Sequence, residues 1–321
     1  MSGDRPLVLV TGAAGFVGGH LVAHLARSGR YRVAAGKLPS ERVAAPEEGA
    51  DDVDVLDLDI LDPAGVARAV ASRAPRYVVH LAAQSSVARS WEDPAGTFAL
   101  NVQGTLAVLD AVRAAGNPCR VLLVGSSEQY GRVRPEDLPV RETAPMRPEN
   151  PYAVSKLAQE QLARLYVEAH GMDLVLVRSF NQIGPGQAPG FVVSDFARQV
   201  AGIERGERAP VVRVGNLTAR RDFTDVRDAV RAYEALLRAG RAGEAYNVGQ
   251  GRSVAVDEVL GTLVGLSRVP VSVEVDPAKV RPADVLEIVA DVAKVRAETG
   301  WEPQVPLAAS LRDALDAWRR C

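Results

Sequence analysis

A glycine-spaced turn between an apolar run and a helical pattern constrains the fold of this chain more than any other feature. Residues 7–10 read Leu-Val-Leu-Val, a continuous apolar run of the kind that forms a strand buried on both faces of a sheet. Gly12, Gly15 and Gly18 follow at three-residue intervals, and apolar residues then recur with helical spacing. Glycines in this setting give a tight turn, close backbone approach to a pyrophosphate and close helix–strand packing. The segment therefore predicts a dinucleotide-binding strand–turn–helix unit, with the phosphates at the helix N-terminus.

The same alternation of short apolar runs and helical patterns continues along the chain. Because parallel strands joined by helices give this pattern, it predicts an α/β fold with a doubly wound parallel sheet. Further strands are predicted at 32–35, 53–56, 77–81, 121–124 and 174–177. Helices are predicted at 66–72, 97–115 and 152–170.

Several residues directly follow predicted strands, where ligands bind in such sheets. Ligands of doubly wound folds lie beyond the carboxyl ends of the strands, so these residues should line one crevice with the glycine turn. Ser126 and Asn181 are expected at the same edge. The residues predicted to contact the cofactor there are Gly12, Gly15, Phe16, Val17, Gly18, Asp59, Ile60, Leu81, Ala82 and Ala83.

The second predicted strand is followed by a lysine rather than an acid. An acidic residue near this point commonly accepts hydrogen bonds from the ribose hydroxyls of the adenosine. Here residues 33–37 read Val-Ala-Ala-Gly-Lys. A cation suits a 2′-phosphate, so Lys37 favours NADP(H), with NAD(H) as the alternative. The competing interpretation of Lys37 is a solvated loop lysine.

Tyr152 and Lys156 are four residues apart and should share one face of a helix. Only 4 lysines accompany 34 arginines in the chain, so a lysine at this spacing is unusual. A lysine beside a tyrosine is a compact cation that favours the phenolate, which predicts a lowered pKa for Tyr152. Such a tyrosine is a usable proton donor or acceptor near neutral pH.

Composition and charge narrow the partners of the protein. The formal net charge of −2 gives no global field that favours nucleic acid. No apolar run is long enough to span a bilayer, and the first residues lack the layout of a signal peptide. Two cysteines and scattered histidines have no ligand spacing, so no metal site is expected. These features predict a cytoplasmic protein with a small-molecule substrate.

The glycine turn and the Tyr152–Lys156 pair occur together with further recognisable segments. These are residues 81–85 (Leu-Ala-Ala-Gln-Ser), residues 101–105 (Asn-Val-Gln-Gly-Thr) and Ser126. The combination resembles the extended short-chain dehydrogenase/reductases, the NAD-dependent epimerase/dehydratase family of nucleotide-sugar enzymes. The resemblance covers nearly the whole chain. It implies a Rossmann fold and a catalytic set made of Ser126, Tyr152 and Lys156.

Downstream segments look like those of GDP-4-dehydro-6-deoxy-D-mannose reductases. Residues 178–187 read Arg-Ser-Phe-Asn-Gln-Ile-Gly-Pro-Gly-Gln. Two positions depart from that pattern, because Gln182 stands where His is expected and Ser179 where Pro is usual. The other matching segments are 190–197, 214–217, 221–228 and 281–285.

The resemblance also implies how the chain is divided. Residues 1–180, with 222–250 returning to them, would form the dinucleotide-binding domain. Residues 181–221 and 251–321 would form a smaller α/β lobe that binds a nucleotide-diphosphate sugar, which is expected to be GDP-linked. Helices 97–115 and 152–170 would form a homodimer interface. The residues implied at the substrate are Ser85, Ser126, Asn181, Val193, Arg221 and Arg281, the arginines suiting a diphosphate.

The implied reaction is reduction of the 4-keto group of GDP-4-dehydro-6-deoxy-D-mannose to GDP-D-rhamnose. Tyr152 would donate the proton, Ser126 would hold the carbonyl oxygen and Lys156 would hold the cofactor ribose. Glu128 leaves an alternative open, because a glutamate here could remove the C5 proton in a GDP-mannose-type 4,6-dehydratase. A 4-epimerase is a further alternative. A catalytically silent dinucleotide sensor is the non-enzymatic one.

Overall fold

The computed structural model describes residues 5–43, 50–279 and 286–321 of the chain. Its strands are β1 (Leu7–Thr11), β2 (Arg32–Lys37), β3 (Val53–Asp57), β4 (Tyr77–His80), β5 (Arg120–Ser126), β6 (Leu174–Ser179), β7 (Asn181–Ile183), β8 (Val211–Val214), β9 (Arg220–Asp225), β10 (Ala245–Val248), β11 (Ser253–Ala255), β12 (Ser272–Val275) and β13 (Glu287–Ile288). Its helices are α1 (Phe16–Arg27), α2 (Pro63–Arg73), α3 (Val87–Glu92), α4 (Pro94–Phe98), α5 (Gly104–Ala115), α6 (Pro151–His170), α7 (Val192–Glu204), α8 (Val226–Ala239), α9 (Val256–Gly265), α10 (Ala293–Thr299) and α11 (Leu307–Arg319).

The main sheet is parallel throughout. Within the described ranges it has seven strands in the order β10-β6-β5-β4-β1-β2-β3. Each neighbouring pair runs parallel. The order steps outward from β1 in both directions, so the predicted doubly wound α/β fold is confirmed.

Apolar layers cover both faces of this sheet. One layer packs α1 and α8 against the strands and contains Leu21, Leu25 and Tyr233. The other packs α2 and α5 against the opposite face and contains Val70 and Leu109. Burial on both faces explains why the strands read as continuous apolar runs rather than alternating ones.

A smaller unit of strands and helices covers the carboxyl ends of the main strands. In it β9 pairs with β11, β13 and β7, and β8 pairs with β12. Helices α7, α9 and α11 pack on these strands around Phe196, Leu263 and Leu311. Helix α7 begins at Val192, and its first turn faces the carboxyl ends of the main strands.

The predicted helix over residues 97–115 is wrong in its middle. Helix α4 ends at Phe98, a π-helical turn spans Ala99–Gln103, and α5 begins at Gly104. The buried amide of Asn101 accepts a hydrogen bond from the Gln84 N–H at 2.8 Å and donates to Ser155 Oγ at 2.9 Å. The wider turn accompanies these inward bonds, which apolar periodicity does not reveal.

None of the helices in the described part of the chain is both long enough and apolar enough to cross a membrane.

Candidate active site

A cavity of about 1660 Å³ opens at the carboxyl ends of the parallel strands, beneath α7. The predicted site residues that the structure describes all line it. They are Gly12, Gly15, Phe16, Val17, Gly18, Lys37, Asp59, Ile60, Leu81, Ala82, Ala83, Ser85, Ser126, Glu128, Tyr152, Lys156, Asn181, Val193 and Arg221. Arg281 lies outside the described residues.

The glycine turn has the shape that a pyrophosphate requires. Gly12 has φ +69°, and a Cβ there would lie 2.8 Å from the Cα atom of Ala82. A Cβ on Gly18 would lie 2.1 Å from the carbonyl oxygen of Gly12, so helix and turn pack backbone to backbone. Gly15 is the N-cap of α1 and has no side chain that could accept hydrogen bonds from the first turn. The N–H groups of that turn are therefore available to an anion. The residues present therefore fit a dinucleotide phosphate.

Lys37 is the last residue of β2 and lines the cavity there. Its Nζ atom is 2.5 Å from Asp57 Oδ1 and donates to the Leu38 carbonyl oxygen at 3.1 Å. Asp57 ends β3, which pairs with β2 through the register Lys37–Asp57. The sequence did not indicate this counterion. A phosphate bound beside Lys37 would share its ammonium group with the exposed Asp57 carboxylate.

Tyr152, Lys156 and Ser126 converge where α6 meets the end of β5. Asn150 caps α6, because its Oδ1 atom accepts the Ala153 N–H at 2.8 Å. Tyr152 and Ser126 are both 8% exposed, and their side chains are close enough for Ser126 to influence the pKa of Tyr152. The buried Lys156 Nζ donates to the Val124 carbonyl oxygen at 3.0 Å. The i, i+4 spacing thus places phenol and ammonium on one cavity-facing side of the helix.

The predicted lowering of the Tyr152 pKa is wrong in direction. Burial raises the pKa of Tyr152 above its ordinary value, and the Glu128 charge raises it further, while the Ser126 hydrogen bond opposes both. Burial also lowers the pKa of Lys156 to about 7. Sequence spacing indicates the neighbouring charge but not burial, and desolvation dominates the pKa of both groups. Tyr152 is therefore a protonated phenol at neutral pH, the form that donates a proton.

Glu128 also faces the reacting groups. Its Oε2 atom accepts a hydrogen bond from Asn150 Nδ2 at 2.9 Å, and its N–H donates to Ser126 Oγ at 3.2 Å. The Asn150 amide thus caps the catalytic helix with its oxygen and holds Glu128 with its nitrogen. An Asn before the first residue of a helix is a capping signal that could have marked Asn150, but no sequence pattern marks its bond to Glu128.

The two departures from the reductase pattern meet at one tyrosine. Gln182 Nε2 donates to Ser179 Oγ at 2.7 Å and to the Tyr233 hydroxyl. The Tyr233 hydroxyl donates to Ser179 Oγ at 3.0 Å. All three residues line the cavity. Tyr233 lies on α8, and its side chain is buried. No pattern in the sequence marks Tyr233, which lies 51 residues from Gln182 along the chain.

Cationic side chains line the far end of the cavity. Lys279 Nζ lies 3.2 Å from Asp195 Oδ2 and donates to the Arg213 carbonyl oxygen at 3.1 Å. Arg221 lines the cavity from β9, and its Nη1 atom donates to the Arg220 carbonyl oxygen at 3.0 Å. Lys279 and Arg213 are additions to the predicted set, because no sequence motif marks Arg213 on β8 or Lys279 at the end of the short helical turn Pro277–Lys279.

Known proteins are similar to this chain over nearly its full length. The family model for GDP-mannose 4,6 dehydratase matches residues 9–314 of the chain. The chain belongs to this GDP-mannose 4,6-dehydratase family. The resemblance to the NAD-dependent epimerase/dehydratases is thereby confirmed.

Relatives in the GDP-mannose 4,6-dehydratase family and its neighbours span the whole chain. A GDP-6-deoxy-D-mannose reductase of Pseudomonas aeruginosa is 36% identical over 311 residues, covering 97% of this chain and 96% of that protein. The structure of RMD from Pseudomonas aeruginosa complexed with NADPH matches with a TM-score of 0.85 and 34% identity, covering 98% of this chain and 99% of that one. A Thermus thermophilus UDP-glucose 4-epimerase complexed with NAD matches with a TM-score of 0.85 and 33% identity, with the same coverage.

Proposed function

We propose that the protein reduces the 4-keto group of GDP-4-dehydro-6-deoxy-D-mannose with NADPH and forms GDP-D-rhamnose. The observation that carries this proposal is the convergence of Ser126, Tyr152 and Lys156 beside a turn shaped for a dinucleotide phosphate. Full-length similarity to a GDP-6-deoxy-D-mannose reductase supports the choice of substrate.

The three residues have separate tasks in this reaction. A bound nicotinamide would supply the hydride that reaches C4 of the sugar. Tyr152 donates its phenolic proton to the carbonyl oxygen, on which negative charge develops. Ser126 donates a hydrogen bond to the same oxygen and positions it. Lys156 would hold the ribose of the cofactor, and its pKa of about 7 lets it exchange a proton at neutral pH.

NADPH is the preferred cofactor in this proposal. Lys37 offers the cation that a 2′-phosphate requires, and the related RMD structure contains NADPH. The related epimerase structure contains NAD, so NAD(H) is the weaker alternative. Asp59 and Ile60 would contact the adenosine, and Leu81, Ala82 and Ala83 would cover the middle of the cofactor.

The other end of the cavity would take the nucleotide sugar. Arg221 and Arg281 would pair with the diphosphate, where forked, charge-assisted hydrogen bonds suit two adjacent phosphates. Lys279 adds a further cation at this end. Three residues, Ser85, Asn181 and Val193, would contact the sugar. In this division, residues 1–180 with 222–250 hold the cofactor, and residues 181–221 and 251–321 hold the substrate.

Glu128 supports a second candidate, a GDP-mannose-type 4,6-dehydratase. Its carboxylate lies in the cavity close enough to raise the pKa of Tyr152. A base at this point could remove the C5 proton from a 4-keto intermediate. The two reactions differ in cofactor balance, because reduction consumes one NADPH per sugar and dehydration consumes none.

Product analysis separates the two candidates. Purified protein is incubated with GDP-4-dehydro-6-deoxy-D-mannose and NADPH, and the product is identified by NMR. The proposal expects stoichiometric oxidation of NADPH and a 4-hydroxy sugar. A second incubation supplies GDP-mannose in place of the keto sugar. Loss of water from GDP-mannose without net oxidation of NADPH would replace the proposal with the dehydratase.

A homodimer through α6 and its neighbours is part of the proposal. Apolar side chains on α4 and α6 are exposed, namely Phe98 (36%), Val154 (40%) and Leu165 (57%). Large exposed apolar groups on adjacent helices favour a protein partner, here a second copy. Light scattering of Leu165→Glu against wild type tests this surface.

A cytoplasmic location is also proposed, since Cys119 and Cys321 are free thiols.

A further inference from the structure

Gln129 connects the catalytic serine to a buried ion pair. Its side chain is fully buried one residue beyond Glu128. The Gln129 Oε1 atom accepts the backbone N–H of Ser126 at 2.8 Å. The Gln129 Nε2 atom donates to Glu160 Oε2 at 2.8 Å. One amide therefore ties the end of β5 to the catalytic helix α6.

The Glu160–Arg178 ion pair fixes the orientation of this amide. Arg178 donates to both carboxylate oxygens of Glu160, from Nε at 2.9 Å and from Nη2 at 2.6 Å. Burial alone would raise the pKa of Glu160, but the hydrogen bonds and charge of Arg178 lower it to about 2. An ionised carboxylate only accepts hydrogen bonds, so the Gln129 NH₂ group must face Glu160. Its carbonyl oxygen must then face Ser126.

The backbone around Ser126 is built for this contact. A Cβ on Gly125 would lie 2.4 Å from Gln129 Oε1 and 2.8 Å from the Val177 carbonyl oxygen, so a larger residue here would disturb both the strand and the amide. Ser126 is extended, with φ −147° and ψ 148°, and its Oγ accepts the Glu128 N–H. With its N–H and Oγ both engaged, the Ser126 side chain has one direction in which to meet the Tyr152 hydroxyl.

We propose that Gln129 is a positioning residue for the reaction. It acts through Ser126, because the amide sets the Ser126 backbone and thereby the distance from Ser126 Oγ to the Tyr152 hydroxyl. Glu160 and Arg178 support it by holding the amide in one orientation. The inference rests on the proposed function only for the identity of the reaction in which Ser126 takes part.

A double-mutant cycle tests this inference with Gln129→Leu, Ser126→Ala and the double variant. Gln129→Leu should lower kcat about tenfold, because the free energy of one buried hydrogen bond is lost. The KM for the sugar should change less than about twofold. In the Ser126→Ala background the same change should lower kcat less than about twofold, because the side chain through which Gln129 acts is gone.

Gln159→Leu is the matched control, because Gln159 is a buried glutamine on α6 that is bonded to Thr105. It should lower the thermal midpoint and leave kcat within about twofold of wild type.

Two results would overturn the inference. Equal losses of kcat in both backgrounds would mean that Gln129 acts on general stability, and an unchanged kcat in Gln129→Leu would mean that it has no role. If Gln129→Leu does not fold, Gln129→Met keeps the chain length without the acceptor and takes its place in the cycle. The cycle is measured on whichever nucleotide-sugar redox reaction the wild-type protein catalyses. Failure of NADPH oxidation therefore affects the proposed function and leaves this test intact.

Discussion

Asn150 holds Glu128 through a 2.9 Å hydrogen bond from its Nδ2 atom to the Glu128 carboxylate. The same side chain caps α6, two residues before Tyr152. The acid that would distinguish a dehydratase is therefore fixed to the helix that carries the proton donor. Its presence in the cavity makes Glu128 the residue whose removal best reports on the reaction type.

Glu128→Gln should lower reductase activity less than about tenfold, because reduction at C4 needs no base at C5. Glutamine keeps the size of the side chain and a possible contact with Asn150. Initial rates of NADPH oxidation give the measurement. A loss of a thousandfold or more would contradict this expectation and assign Glu128 an acid–base role in the reaction that consumes NADPH.

Tyr152→Phe should lower kcat by about 10²–10⁴-fold, the usual contribution of a positioned general acid. Cofactor affinity, measured by quenching of protein fluorescence, should stay within about threefold because the glycine turn is untouched. Tyr166→Phe is the control on the same helix, since its hydroxyl bonds Asp110 away from the cavity. If Tyr152→Phe keeps full turnover, Tyr152 is not the proton donor.

Lys37→Ala should raise the KM for NADPH by about 10–100-fold, because one charge-assisted hydrogen bond to a phosphate is worth roughly 1.5–3 kcal/mol. The KM for NADH should change little. Lys294→Ala removes a lysine that pairs with Glu244 outside the cavity and should leave both constants near wild type. Equal effects on NADPH and NADH would remove Lys37 from the phosphate site.

Lys156 should make the free energy of unfolding depend on pH. In the folded protein its pKa is about 7, against an ordinary value of 10.5. Between these values the unfolded state binds more protons, so the stability contribution of Lys156 rises with pH and is lost as pH falls toward 7. The wild-type value minus that of Lys156→Met should rise by roughly 2 kcal/mol from pH 7 to pH 9, at about 1.4 kcal/mol per unit. Urea titrations measure it, and a difference that does not change with pH would place the folded pKa near 10.5.

The sequence predicted the parts of this fold that depend on periodicity. Apolar runs identified the strands of the parallel sheet, and glycine spacing identified the turn before α1, because both patterns follow from local geometry. The interruption of the helix at Asn101 escaped prediction, since it accompanies hydrogen bonds to residues distant in sequence.

The candidate site shows the same division. Residues just after strands were predictable, because parallel strands end at one edge of a sheet. Gln129, Asn150 and Tyr233 were not, since each acts through a partner that only the folded chain brings near. The pKa direction of Tyr152 was mispredicted for a related reason, because sequence spacing gives the neighbouring charge but not the burial that outweighs it.

Deuterium transfer tests the proposed reduction most directly. The protein is incubated with GDP-4-dehydro-6-deoxy-D-mannose and NADPH that carries two deuterium atoms at C4 of the nicotinamide, and the sugar is examined by mass spectrometry and NMR. We predict one deuterium at C4 of a GDP-D-rhamnose product for each NADPH oxidised. A product without deuterium would contradict the assignment. So would conversion of GDP-mannose to the keto sugar, in a parallel incubation with GDP-mannose, with no NADPH consumed.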